Sequence, residues 1–288
     1  MTLQLLISGI IFGISLSSIY FLISVGLSLC FGIMRVISLD QFLYYSLGAY
    51  FAYTVSLLTQ NLWLGILTGT VVGALIAWLV ERLIFRKIYE REITFSMITS
   101  FGILLAGIGL IKSFWGLVPR PVQMPLGEQF NLLGTEIPVY RLLVILIAAL
   151  VYLGIWLFLH KTIIGKAIRA SLEDTEHVEG LGINASQLFT ITFVIAGALS
   201  ALAGGIYAPL IMVEPYMGLE ILAFVFMVVI IGGLGSIKGT LYSSLLVGQV
   251  VSLGSLIYAP LAIMAPFALM LLILLVRPTG LFGGAITK

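Results

Sequence analysis

Charge is what this chain of 288 residues has least of. Asp, Glu, Lys and Arg together make up 9% of it, where soluble domains carry about 25%. Such a chain is not a water-soluble globular protein, a coiled coil or a disordered segment. Fourteen basic residues against twelve acidic ones leave a net charge of +2, too little for a nucleic-acid-binding face. Cysteine is nearly absent too, which excludes a disulfide scaffold; the single Cys30 lies in an apolar run and reads as a small buried hydrophobe. What is abundant is apolar: 61% of the residues are hydrophobic, 31 are glycine, and the mean hydropathy is +1.20. The class that remains is an all-α polytopic membrane protein, read as one transmembrane domain over 1–288.

Seven stretches of 17 or more residues hold no Asp, Glu, Lys or Arg: 1–34, 41–80, 93–111, 142–159, 180–213, 221–237 and 239–276. A helix needs roughly 20 residues to cross a hydrocarbon core, so the two longest runs each divide. The first breaks at Thr59-Gln60-Asn61 and the second near Ala259-Pro260, since proline ends a helix at the preceding residue. Nine segments result. The weakest, 221–237, runs into Gly232-Gly233-Leu234-Gly235, so eight full crossings are the alternative count. The first run is too long for a signal h-region and has no basic residue before it, so it is expected to stay as the first helix.

Nine alternating crossings place Arg35, the 81–92 and 160–179 loops, Lys238 and the C-terminal tail on one side. That side holds eleven of the fourteen basic residues, leaving Lys112, Arg120 and Arg141 for the other. The positive-inside rule makes the first side cytoplasmic and the N-terminus external. The longest outer loop, about 113–140, carries Pro119, Pro121, Pro125 and Pro138 and reads as an ordered, extended lid.

The spans themselves contain almost nothing that ionises. Asp40, Glu81, Lys112 and Glu220 fall at expected helix ends, and no carboxylate or His chain crosses the bilayer as coupled carriers require. His160 and His177 lack partners at metal-ligand spacing, no catalytic Ser/His/Asp set points into a span, and no G-x-x-x-x-G-K-[ST] loop is present for nucleotide. No metal site and no bound cofactor are therefore expected; energised transport requires another chain to supply the energy. Gly65, Gly69 and Gly73 share one helix face, and Gly9 and Gly13 repeat the spacing, a pattern for close helix packing within the chain or with a partner.

Residues 161–187 are the one long stretch both charged and patterned. Ser171-Leu-Glu-Asp174 resembles a capping box, with acidic residues in the following turn, and Gly180 and Gly182 offer stops. Asn184-Ala-Ser-Gln187 reads as the cap of the next membrane helix. The pattern predicts a short helix at the cytoplasmic surface, either a solvated connector or a coupling helix.

The run Gly165–Asn184 resembles the ATPase-docking segment of importer permeases of the ABC class, in particular the LivH-type branched-chain amino-acid permeases. That family has an acidic residue six positions before a glycine, as Glu176 stands before Gly182, although His177 and Val178 replace its usual small residues. Three further stretches are similar to the same family: Gly26-Leu-Ser-Leu-Cys-Phe-Gly-Ile-Met-Arg-Val-Ile37, Ile230-Ile-Gly-Gly-Leu-Gly-Ser-Ile-Lys-Gly239 and Arg277-Pro-Thr-Gly-Leu-Phe-Gly283. After Ile37 the family's Asn-Phe-Ala-His-Gly-Glu run is replaced by Ser38-Leu-Asp-Gln-Phe-Leu43, a departure that bears on the substrate.

The resemblance implies a permease subunit of an ATP-driven importer for branched-chain or hydrophobic amino acids. It also implies a second, homologous permease chain, two cytoplasmic ATPases that hold ATP and Mg, and an extracytoplasmic binding protein, in a bacterial or archaeal plasma membrane. Arg169, Asp174, Glu176 and Gly182 are the expected ATPase-coupling residues. Ser38, Gln41 and Tyr44 are expected beside the substrate path, and Gly232, Gly233, Gly235 and Gly239 act as packing or as a gate hinge. A permease for urea or short amides is the alternative within the class, and a stand-alone ion-coupled carrier or channel the alternative outside it.

Overall fold

The structure is a computed structural model, and it describes residues 3–89, 91–125, 129–132, 135–173, 178, 180 and 182–283. Ten α-helices are described: α1 (Leu3–Met34), α2 (Gln41–Thr59), α3 (Leu62–Leu83), α4 (Ile93–Trp115), α5 (Val139–Lys161), α6 (Ile163–Glu173), α7 (Ala185–Tyr207), α8 (Met217–Gly232), α9 (Ile237–Ile257) and α10 (Leu261–Val276). One antiparallel hairpin precedes α5, pairing β1 (Gln129–Leu132) with β2 (Thr135–Pro138). Six helices, α1, α3, α4, α5, α7 and α9, are long and apolar enough to cross a membrane; α8 and α10 are apolar but only 16 residues each. The chain is a multi-pass membrane protein.

The expected breaks fall where local chemistry provides them. Gln60 takes a left-handed conformation after α2, and the Asn61 side chain accepts hydrogen bonds from the Trp63 and Leu64 N–H groups to start α3. Asn184 caps α7 by accepting from the Gln187 N–H. The second long run divides at Tyr258–Pro260 between α9 and α10.

Helices α1, α2 and α7 form the centre, with α3 against α2 and α7, and α9 against α1. The glycine stripe of α3 is spent inside the chain. A Cβ on Gly65 or Gly69 would meet the Ala52 or Gly48 carbonyl of α2, and one on Gly73 would meet the Ala201 methyl of α7. Lipid gives apolar side chains no reason to prefer a protein neighbour, so close backbone approach with dispersion contact is what holds such helices together. The peripheral helices keep apolar residues facing outward, among them Leu146, Leu150 and Leu153 of α5 and Leu272 and Leu275 of α10.

Helix α6 precedes the stretch for which the capping box at Ser171 predicts a short helix, and that stretch lies mostly outside the described residues. The N-cap of α6 is Thr162, whose hydroxyl accepts from the Gly165 N–H at 2.9 Å, and Ser171 lies inside the helix, buried. Thr162 stands directly at the corner closing α5, and the helix it starts buries Ala167, Ile168 and Ser171 on one face while Lys166 and Arg169 stay exposed.

Candidate functional site

Three features carry the chemistry, two of them at the end of the bundle where most basic residues lie.

The first is a junction at which four separated stretches meet. The α8–α9 turn requires Gly233 and Gly235 at positive φ, +94° and +85°. Gly235 lies against Gly32 at the end of α1, where an added Cβ would also strike the Leu172 side chain of α6. Gly232 and Gly239 let α8 and α9 touch backbone to backbone: a Cβ on Gly239 would stand 2.0 Å from the Gly232 carbonyl oxygen. Ser236 caps α9 by accepting from the Gly239 N–H, and Ser243 donates to the Val228 carbonyl. The C-terminal stretch then closes over the turn. The Leu281 N–H donates to the Ile231 carbonyl at 2.8 Å and the Phe282 N–H to the Gly232 carbonyl at 3.1 Å. The glycine residues 232, 233, 235 and 239 thus make close helix and turn contacts here.

Of the expected coupling residues, Arg169 is exposed on α6, and Gly182 has positive φ (+80°) with open space where a side chain would go. Asp174 and Glu176 lie outside the described residues. Leu172 meets α1 at Gly32, beside Gly235 of this junction, and Ile168 joins α6 to the core.

The second feature is a polar cluster wholly inside the protein. Ser38, Asp40, Gln41 and Tyr44 are all fully buried. Ser38 and Tyr44 donate to the two Asp40 carboxylate oxygens at 2.5 Å each. Gln41 donates to Ser38 and accepts from Ser200 of α7 at 2.9 Å; its amide also reaches the Cys30 Sγ at 3.9 Å. Asp40, in the link between α1 and α2, has its pKa pushed up to about 6 by burial, against the lowering effect of its Ser38 and Tyr44 hydrogen bonds. Ser38, Gln41 and Tyr44 therefore spend their polar atoms on one another and on α7, tying the α1–α2 turn to the centre. Beside them Glu81 is likewise buried, accepting from Tyr89 at 2.8 Å and from Thr190 of α7 at 2.9 Å. Sequence spacing marks Asp40 and Glu81 only as charges at helix ends; the i, i+4 spacing of Asp40 and Tyr44 is the one local signal of the cluster.

The third feature, at the opposite end, is a cavity of about 350 Å³ between α1, α2, α7 and α8. Tyr20, Tyr45, Tyr207, Glu214 and Glu220 line it together with apolar side chains. Here Arg120 pairs backbone to backbone with Val213, joining the long outer loop to the α7–α8 link. Nothing in the spacing of these residues along the chain points to their meeting.

Comparison with known proteins places the chain. A family described as "Branched-chain amino acid transport system / permease component" matches residues 9–276. The chain is 27% identical to the high-affinity branched-chain amino acid transport system permease protein LivH of Escherichia coli (strain K12), covering 94% of this chain and 93% of that one. It is 27% identical to the permease protein BraD of Pseudomonas aeruginosa, covering 94% of each. A probable LivH of the archaeon Methanocaldococcus jannaschii is 26% identical over 93% of this chain and 89% of the relative. Among solved structures, PsaBC from Streptococcus pneumoniae in complex with Fab aligns with a TM-score of 0.46 and 16% identity over 94% of this chain and 91% of that one. With the match running through nearly all its helices, the chain belongs to the branched-chain amino acid transport permease family.

Proposed function

We propose that this chain is a pore-forming subunit of an ATP-driven importer that carries branched-chain or other hydrophobic amino acids across a bacterial or archaeal plasma membrane. The observation that carries the reading is the family match over residues 9–276; the relatives are named for branched-chain amino acid transport. The partners are a second homologous permease chain, two cytoplasmic ATPases holding ATP and Mg, and an extracytoplasmic binding protein. The basic end faces the cytoplasm, and the N-terminus lies outside.

Hydrolysis takes place on the partner ATPases, and this chain converts their movement into a change of access. The ATPases dock on α6 and the segment after it, through Arg169, Asp174, Glu176 and Gly182. Leu172 then transmits the displacement to Gly32 and Gly235. Coupling requires that the ATPases bind nucleotide with different strength in the outward- and inward-open states. The six candidate spans carry at most two charged residues each over their apolar windows, which suits a zwitterion passing without tight capture.

The test is reconstitution of the chain with its co-encoded permease, ATPases and binding protein in proteoliposomes. ATP-dependent uptake of leucine is the expected result. Uptake of urea in its place would reassign the substrate, and transport by this chain alone without ATP would overturn the ABC reading. Glu176→Gln and Gly182→Leu are expected to abolish uptake and ATPase association while leaving membrane insertion intact.

A further inference from the structure

We infer that the cavity between α1, α2, α7 and α8 is a recognition site for a primary ammonium group, and that its ligand is an aliphatic amino acid entering the transport path. The amino-acid part rests on the function proposed above; the ammonium part rests on the cavity alone.

At about 350 Å³ the cavity falls in the range of about 300–1,000 Å³ usual for small-molecule sites. Two carboxylates reach it from different elements, Glu214 from the α7–α8 link and Glu220 from the first turn of α8. Among the described residues neither carboxylate has an ion-pair partner within 4 Å, and the nearby cations make other contacts. Lys112 contacts the Tyr216 hydroxyl and lies 4.1 Å from the centre of its ring. Arg141 stacks over Phe12 at 4.0 Å. Arg120 donates to the Trp115 carbonyl. Glu214 and Glu220 are thus the charged residues among the described lining of the cavity, and no contact ion pair neutralises them.

A second observation is independent of the carboxylates. Tyr20 and Tyr45 are 4% and 1% exposed and line the cavity, yet neither hydroxyl has a hydrogen-bond partner among the described residues. Buried phenol hydroxyls ordinarily find a partner, so two that face a cavity without one mark places for a ligand's polar atoms. With Tyr207 they add three aromatic rings, whose faces attract a cation. The remaining wall, including Leu16, Met217, Ile221 and Phe224, is apolar and fits a branched aliphatic side chain. A zwitterion matches every part: ammonium to Glu214 and Glu220, carboxylate to the tyrosine hydroxyls, side chain to the apolar wall.

The test labels a cysteine at the rim in the assembled transporter. Met212 lines the cavity and is 64% exposed, so Met212→Cys is tolerated by the fold, and the fully buried Cys30 is left in place. Its reaction is followed with a cationic trimethylammonium methanethiosulfonate and an anionic sulfonate of similar size. The cation is expected to react roughly tenfold faster relative to their rates on free cysteine, the enrichment a negative cleft produces. Leucine and isoamylamine at millimolar concentration are expected to slow the reaction, whereas 4-methylpentanoate, which lacks the ammonium group, leaves it unchanged. Glu214→Gln with Glu220→Gln removes both the charge preference and the protection. Equal reaction with both reagents, or no protection by isoamylamine, overturns the site. Protection by isoamylamine in a transporter that moves no leucine leaves the ammonium site standing and refutes the assigned substrate instead.

Discussion

Placing a methyl group at residue 239 loads the junction where α8, α9 and the C-terminal stretch meet. In Gly239→Ala the new Cβ lies 2.0 Å from the Gly232 carbonyl oxygen, whereas ordinary contact begins at 3.4 Å. The two backbones must part by about 1.4 Å, and no flexible side chain is available to yield in their place. Forced overpacking of this kind costs roughly 1–3 kcal/mol. The same carbonyl accepts from the Phe282 N–H, and its neighbour at Ile231 accepts from Leu281. Weakening both adds about 0.5–1.5 kcal/mol each, for a total on the order of 2–6 kcal/mol. The melting temperature of the purified protein, followed by fluorescence-detected size exclusion after heating, is expected to fall on the order of 5–15 °C. Gly109→Ala on α4 is the matched control. Its Cβ meets nothing within 4 Å, so alanine's helix propensity makes it neutral or stabilising by up to about 1 kcal/mol. Equal melting temperatures for the two variants would refute the close-contact reading of the α8–α9 turn.

Three other outcomes follow from the same geometry. Gly32→Ala puts a methyl group against the Leu172 side chain and the Gly235 backbone, so ATP hydrolysis by the assembled complex is expected to continue while leucine uptake per ATP falls; an unchanged ratio would show that α6 does not act through this contact. Asp40 is raised to about 6 by burial, so its ionisation opposes folding: stability is full below the ordinary carboxylate range and falls as pH rises toward and through about 6, by on the order of 3 kcal/mol. Asp40→Asn is expected to flatten that decline in melting temperature measured between about pH 4 and 8, and a slope like that of the unaltered protein would remove Asp40 as its source. Asn61→Ala deletes the acceptor of two N–H groups at the start of α3 and is expected to cost about 1 kcal/mol, read as a small loss of melting temperature.

The elements were legible in the sequence wherever one residue and its chain neighbours suffice to decide them. Apolar runs near 20 residues mark helices because each must satisfy its own backbone in lipid. Asn61 and Asn184 mark helix starts because a cap acts within three residues. The start of α6 at Thr162 had no clear local signal, and only the burial of Ile168 and Ser171 on one face marks that helix; the helix expected after Ser171 lies mostly outside the described residues. The glycine stretches were legible as places of close approach, though not which surfaces they approach.

Sequence alone determined the membrane class, the helix breaks and the scarcity of charge within the spans, because hydropathy and capping are local properties. Tertiary structure decided which distant residues share one place. It joined Gly32, Leu172 and Gly235 to one junction and enclosed Asp40 between Ser38 and Tyr44. It also gathered Tyr20, Tyr45, Tyr207, Glu214 and Glu220 around one cavity. Those meetings bridge separations of up to 203 residues along the chain, from Gly32 to Gly235. They depend on how the helices cross, which small residues far apart settle only when the whole bundle closes.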